Sequence, residues 1–140
     1  MAHWLFKTEP GSWSWDDQLK AGAAGTFWSG VRNHLAKKHL QAMRRGEQGF
    51  FYHSVDEKRI VGIVEVIKEY YPDHTDKTGT FGMVDIRAVA RLRDPVTLAD
   101  IKADPALKDM VLVNNSRLSV QPVTTAEWER ICRRGGVEPL

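Results

Sequence analysis

The stretch Thr26-Phe27-Trp28-Ser29-Gly30-Val31-Arg32-Asn33 carries the most suggestive chemistry in the chain. It sets a large flat aromatic on a glycine-flanked loop and adds a cation and an amide within five residues. A planar ligand with a hydrogen-bonding edge needs those three things: a face to stack on, a positive neighbour, and a donor–acceptor pair. A nucleobase is such a ligand. Stacking on an aromatic side chain contributes about 1–3 kcal/mol per base in single-strand binders. Asn33 offers an acceptor and two donor hydrogens. The competing reading is core packing, since Trp is buried on average whatever its role.

Other residues invite chemistry and support it less well. Lys7 and Glu9 stand at the end of an opening strand, beside the turn signal Thr8-Glu9-Pro10-Gly11, and share a face if the strand reaches Pro10. A solvated ion pair is the plainer reading of the two. His53-Ser54 invites a nucleophile, yet strand neighbours point to opposite faces and do not hydrogen-bond each other. His34 and His39 lie about 140° apart around a helix, so they cannot share a metal on one face. Asp73-His74-Thr75-Asp76 has ligand-type side chains, but an ordinary polar loop is the commoner outcome, given how exacting metal geometry is. No glycine-rich phosphate loop matches the standard patterns. The expectation is a binder with no catalytic residue, no metal and no cofactor.

The elements that must position these residues follow from periodicity and caps. Residues 3–7 read as a strand. Ser14 and Asp17 have capping-box spacing for a short helix over 15–20, with Trp13 and Trp15 read as packing anchors. Residues 32–45 read as the clearest helix: Leu35, Ala36, His39, Leu40 and Met43 fall on one arc, and Lys37, Lys38, Gln41, Arg44 and Arg45 on the opposite one. That basic face suits phosphates, and it equally suits plain solvation. Strands are expected over 48–54, 59–71 and from 84 onward, where Val84, Ile86, Ala88, Ala90 and Leu92 alternate with charged residues. Thr97 with Asp100 starts a helix over 98–103, and Asp104-Pro105 starts another. Residues 110–113 read as extended, as do 117–123, with Ser119 and Gln121 on one face. Thr124 and Glu127 cap a last helix to about residue 134.

Strands are not separated by regular crossover helices, so a doubly wound parallel sheet is disfavoured. A mixed, mostly antiparallel sheet or small barrel with helices at its rim fits better. The 140 residues suit one domain, 1–140. Twenty Lys and Arg against 18 Asp and Glu give a net charge of +2. That is too mild for gripping nucleic acid by bulk charge, though it permits a local basic patch. The single cysteine, Cys132, excludes an internal disulfide and fits a reducing compartment. No secretory leader and no apolar run of roughly 20 residues is visible. The expected location is cytoplasmic, or nuclear in a eukaryote, with no membrane contact.

Seven blocks together resemble the EVE domain family: Trp4-Leu5-Phe6-Lys7-Thr8-Glu9-Pro10, Trp28-Ser29-Gly30-Val31-Arg32-Asn33, Phe51-Tyr52-His53-Ser54, Gly62-Ile63-Val64-Glu65-Val66, Val84-Asp85-Ile86-Arg87, Pro95-Val96-Thr97-Leu98 and Arg117-Leu118-Ser119-Val120-Gln121-Pro122-Val123. They stand in the family's order and span nearly the whole chain. The resemblance implies an α+β, PUA-like fold, a mixed and mostly antiparallel β-barrel with flanking helices, related to YTH domains. It implies a non-catalytic reader of a modified base in DNA or RNA, with modified cytosine favoured. Carried over by position, Trp28 is the stacking wall. Lys7 and Glu9 flank the pocket, Val31, Arg32 and Asn33 form its rim, His53 and Ser54 close the strand side, and Ser119 and Gln121 complete it. Lys37, Lys38, Arg44 and Arg45 are the expected phosphate contacts. Thr8 replaces the family's usual Ser, and His34-Leu35 replaces the usual Tyr-Gln. Two other readings remain open: a small nucleotide- or RNA-directed enzyme using His53, Ser54 or Glu9, and a protein-interaction module with a vestigial pocket. A lone reader domain needs a separate effector protein.

Overall fold

The structure is a computed structural model and describes residues 1–138. Its strands are β1 (His3–Thr8), β2 (Thr26–Phe27), β3 (Gln48–His53), β4 (Arg59–Pro72), β5 (Gly82–Thr97) and β6 (Val120–Val123). Its helices are α1 (Trp15–Lys20), α2 (His34–Ala42), α3 (Leu98–Ala103), α4 (Val111–Asn114) and α5 (Thr125–Arg134). The strands form one sheet in the order β2-β5-β4-β3-β1-β6. Only β1 and β3 run parallel; the other neighbours are antiparallel. The α+β class and the mostly antiparallel sheet are as expected. The edges β2 and β6 are not hydrogen-bonded to each other. Helix α2 packs on β6 and also on β4 and β5, so it lies across the open side of a curled sheet.

Two apolar cores form on the two faces of the sheet. Alternation along β1 sends Trp4 and Phe6 to one core and Leu5 to the other. In β3, Phe51 joins Trp4, and Phe50 and Tyr52 join Leu5. The alternation expected along β5 is broken once. Val84 and Ile86 pack into the first core, but Leu92 and Val96 pack into the second. The cause is a register shift: Ile63 and Val64 are consecutive on β4, but their partners Ala90 and Ala88 are two apart. Val89 is the extra residue of a bulge, which reverses the side-chain parity beyond it.

The three expected capping boxes are present, at Ser14/Asp17, Thr97/Asp100 and Thr124/Glu127. The basic helix is shorter than its pattern. Asn33 caps its N-terminus by accepting the Ala36 N–H, and Met43, with ψ 140°, ends it. Buried Glu47 fixes that end. Its carboxylate accepts the backbone N–H of Arg44 at 2.7 Å, that of Ala2 at 2.9 Å and the Trp4 indole N–H at 3.1 Å. Arg44 and Arg45 therefore stand beyond the helix.

Residues 110–113 are not extended. Val111–Asn114 forms one turn of helix, closed by the Asn115 N–H on the Val111 carbonyl at 2.7 Å. Burial of Leu112 outweighs the β-branched preference of its neighbours. The last strand covers only Val120–Val123. The Gln121 side-chain amide donates to the Leu118 carbonyl at 2.7 Å and folds the preceding residues into a turn.

Gly62 marks where α1 presses closest to the sheet. A Cβ there would lie 2.4–2.6 Å from ring atoms of fully buried Trp15. Gly62→Ala should cost about 1–3 kcal/mol by overpacking, read as a lower urea midpoint with an unchanged m-value.

Candidate functional site

The free end of β1 opens onto a cleft of about 440 Å³. One wall is the end of β1 with the loop after it, which contributes Lys7, Glu9 and Trp13. The other is the segment from β2 to α2, which contributes Phe27, Trp28, Val31 and Arg32, and Ser119 joins from the turn before β6. Among the residues expected at a pocket, Lys7, Glu9, Trp28, Val31, Arg32 and Ser119 thus come together from three separate stretches of chain.

Trp28 is 7% exposed, so it forms the floor of the cleft more than an open wall. Phe6 and Phe51 pack edge-on around it, with centroids at 5.3 and 5.8 Å. Trp13, read from sequence as a packing anchor, is half-buried and lines the same cleft. Its indole N–H donates to the Gln18 side-chain carbonyl at 2.9 Å, and the Gln18 amide donates to the Ile86 carbonyl at 3.2 Å. The ring is oriented by a chain of bonds that ends in the sheet. Position was the signal for Trp13: it precedes the cap Ser14, so it lies outside the helix that buries Trp15.

Lys7 is half-buried in the cleft. Its ammonium donates to the Ser116 carbonyl and lies 5.7 Å from the Tyr52 ring centroid. Burial lowers its pKa below the usual lysine value. No carboxylate lies within ion-pair distance of it among the described residues. Lys7 thus lines the cleft with its ammonium held by a backbone carbonyl and without a carboxylate partner among the described residues.

The opposite wall is held by Asp73, which is buried. Its carboxylate accepts the Gly30 N–H at 2.8 Å, an Arg32 guanidinium N–H at 3.1 Å, and both the N–H and the hydroxyl of Thr75 at 2.7 and 2.6 Å. Desolvation alone would raise its pKa. The bonds from Thr75, Gly30 and Arg32 outweigh that and hold the carboxyl down at about 2. Gly30, at φ +86°, occupies the left-handed region that favours glycine. Its amide is thereby turned toward the carboxylate.

Four expected pocket residues stand elsewhere. The Asn33 side chain is spent as the α2 cap. Gln121 is fully buried and donates to the Leu118 and Asn115 carbonyls. His53 is buried behind α1, where its Nε2 accepts the Trp15 N–H at 3.0 Å and its Nδ1 donates to Glu57 at 2.9 Å. Both ring nitrogens are committed, which leaves no free base beside Ser54. Ser54 follows β3 out of the sheet and donates its N–H to the Thr8 carbonyl at 2.8 Å; it does not line the cleft. Asn33, Gln121 and His53 were read as polar and available, and each instead satisfies backbone or a helix end.

The expected phosphate contacts also divide. Lys37 and Lys38 lie on α2, with the Lys37 ammonium 5.8 Å from the Phe81 ring centroid. Arg44 reaches back to the Gln41 and Met43 carbonyls at the helix end. Arg45 lies beside Gly46, Glu65 and Arg87 in a separate hollow. They do not form one face. No group of three or more His, Cys, Asp or Glu side chains that could hold a metal ion occurs among the described residues. No helix among them is long and apolar enough to cross a membrane.

The sequence profile of the EVE domain matches residues 2–134. The chain belongs to the EVE domain family. Chicken thymocyte nuclear protein 1 is 38% identical over 91% of this chain and 66% of its own length, so the chain spans about two thirds of that relative. A Rhodopseudomonas palustris protein solved by NMR is 58% identical and superposes with a TM-score of 0.92 over 97% of this chain and 94% of that one. Human THYN1, crystallised in complex with DNA containing 5-methylcytosine, is 33% identical, with a TM-score of 0.91 over 99% of this chain and all of that one. A YTH domain from Zygosaccharomyces rouxii, solved with N6-methyladenosine RNA, is 19% identical with a TM-score of 0.57 over 99% of this chain and 90% of that one, a likeness of fold. The PUA-like architecture expected of an EVE domain is the one found.

Asp73→Asn should remove the charge from these bonds and destabilise the protein by about 1.5–3 kcal/mol at neutral pH. The folded pKa lies below the ordinary carboxylate value of 3.8. The stabilisation is therefore complete above that value and lost as pH falls toward about 2. Urea unfolding of both proteins should show a gap at pH 7 that narrows toward pH 2.

Proposed function

We propose that this EVE domain is a non-catalytic reader of nucleic acid that takes a modified base, modified cytosine before others, into the cleft. The observation that carries this reading is the make-up of the cleft: two tryptophans, a half-buried lysine without a carboxylate partner among the described residues, and a polar rim, in a volume of about 440 Å³. Small-molecule sites of mixed lining run from about 300 to 1,000 Å³. The human relative crystallised with 5-methylcytosine DNA supports the choice of ligand.

In this reading Trp28 is the floor and Trp13 a side wall for the base. Lys7, with Glu9 and Ser119 near it, meets the polar edge of the ring. Extracting a base from a duplex costs a few kcal/mol. Stacking at about 1–3 kcal/mol per aromatic contact, together with edge hydrogen bonds, offsets that cost. Edge bonds discriminate strongly, because a buried polar group left without its partner costs about 1–3 kcal/mol. A buried methyl group adds only about 0.8 kcal/mol. Preference for 5-methylcytosine over cytosine should then be about fourfold unless the methyl fits tightly. The single thiol, Cys132, is fully buried and pushed up to about 11. We place the protein inside the cell, with an effector supplied by a separate protein.

The test is an anisotropy titration with matched oligonucleotides carrying cytosine, 5-methylcytosine, 5-hydroxymethylcytosine or N6-methyladenosine. Trp13→Ala should weaken binding of the preferred oligonucleotide at least about tenfold, and Lys7→Ala should collapse the preference among bases. Equal weak binding to all of them, unchanged in both variants, would leave only general charge attraction and defeat the reading.

A further inference from the structure

From the cleft's lip, where Phe27 and Arg32 line it, an aromatic and cationic ledge runs outward to residues that do not line the cleft. It starts at Phe27 on the cleft lip, 44% exposed, whose ring meets His74 edge-on at 4.7 Å. The neighbouring Thr75 hydroxyl accepts an Arg32 N–H at 3.0 Å. The Arg32 guanidinium carbon is 5.9 Å from the Phe81 ring centroid, and the Lys37 ammonium is 5.8 Å from it. His34 lies 5.0 Å from the same ring. The order is therefore Phe27, His74, Arg32, Phe81, Lys37, running from the lip onto the first turns of α2.

Three acids lie in this region: Asp85, opposite Phe27 on β5, accepts the Tyr71 hydroxyl, and the other two are tied into the neighbouring loop. Asp73 is buried among the Gly30, Arg32 and Thr75 donors. The Asp76 carboxylate accepts N–H groups of Thr78, Thr80 and Phe81 and the Thr78 hydroxyl. Both carboxylates are absorbed in shaping the loop between β4 and β5. The outer surface keeps the cations Arg32 and Lys37 and the faces of two phenylalanines. Alternating rings and cations at such spacing match a nucleic-acid strand, whose bases stack while its phosphates carry the charge.

We propose that this ledge is a second subsite, which holds the nucleotide flanking the base in the cleft. Lys37 and Arg32 meet its phosphate, and Phe81 and Phe27 pack against its base and sugar. The inference rests on the reader function above. It adds the direction in which the strand leaves the cleft, past Arg32 toward Phe81 and the first turns of α2.

The experiment titrates a single-stranded DNA 9-mer with a central 5-methylcytosine, and its unmodified twin, against the wild-type chain, Lys37→Ala and Phe81→Ala, across a salt series. Lys37→Ala should weaken both oligonucleotides about fivefold and lower the salt slope by about 0.7, the value for one phosphate contact on a single strand. Phe81→Ala should weaken both by a similar factor and leave the slope unchanged. Neither should alter the ratio between the two oligonucleotides, whereas Lys7→Ala, in the cleft, should. Unchanged affinity and slope in Lys37→Ala would overturn the ledge while leaving the reader intact. This variant decides the matter if Phe81→Ala fails to fold, because the Lys37 side chain makes no hydrogen bond within the fold among the described residues. A change in the methylcytosine ratio would move these residues into the base pocket and equally overturn the second subsite. Failure of the wild-type chain to bind either 9-mer would sink both proposals. An acidic peptide that binds and displaces neither oligonucleotide, with unchanged 9-mer affinity in Lys37→Ala, would assign the ledge to a protein partner.

Discussion

The register of β1 is the constraint on which the cleft depends. This six-residue strand is paired on both sides, parallel to β3 and antiparallel to β6. Trp4 and Phe6 must enter one core while Leu5 enters the other. A slip of one residue would exchange the faces and bury Lys7 among Phe6's neighbours. With the register pinned by three large apolar side chains, Lys7 and Thr8 end the strand opposite Tyr52 and His53, and Glu9 leaves the sheet at one defined point. The position of the cleft's cation is thus set by packing several residues away.

Two buried carboxylates perform a second kind of positioning. Glu47 ends α2 and ties the N-terminal backbone and Trp4 to that end. Asp73 ties the glycine turn after Trp28 to the loop between β4 and β5. Glu47 is met mainly by backbone N–H groups, and Asp73 by two backbone N–H groups together with the Thr75 hydroxyl and the Arg32 guanidinium. Such bonds hold a loop more firmly than an exposed ion pair, which contributes about 0–1 kcal/mol and is screened by salt. The wall of the cleft is consequently built from irregular chain without being loose.

Much of this was legible in the sequence, and the failures have physical causes. Periodicity and caps located α1, α3 and α5, because Ser14, Thr97 and Thr124 act on backbone within three residues of themselves. Local information suffices there. The bulge at Val89 was not legible, because a parity reversal depends on the partner strand. The two-residue strand β2 and the single turn α4 were also missed, since each exists by tertiary packing alone. At the cleft, Lys7, Glu9, Trp28, Val31, Arg32 and Ser119 converge as expected. Asn33, His53, Ser54 and Gln121 do not, and sequence cannot tell a polar side chain that faces a ligand from one that satisfies the fold. Trp13, read as a packing anchor, does pack against the first core, and it also lines the cleft because it lies one residue before a cap.

The two cores on opposite faces of the sheet bear on how such a protein can diverge. Trp28, Val31 and the cleft rest on one core; α3, α4 and α5 rest on the other, with Leu5, Phe50 and Trp128. Substitutions that reshape the ligand face disturb the far core only through the strands between them. Lineages can therefore drift in what they recognise while the far face preserves cooperative folding. Conversely, lineages under heat or other stress can harden the far face without retuning recognition. The sheet acts as a partition between the packing that carries the cleft and the packing that carries α3 and α5.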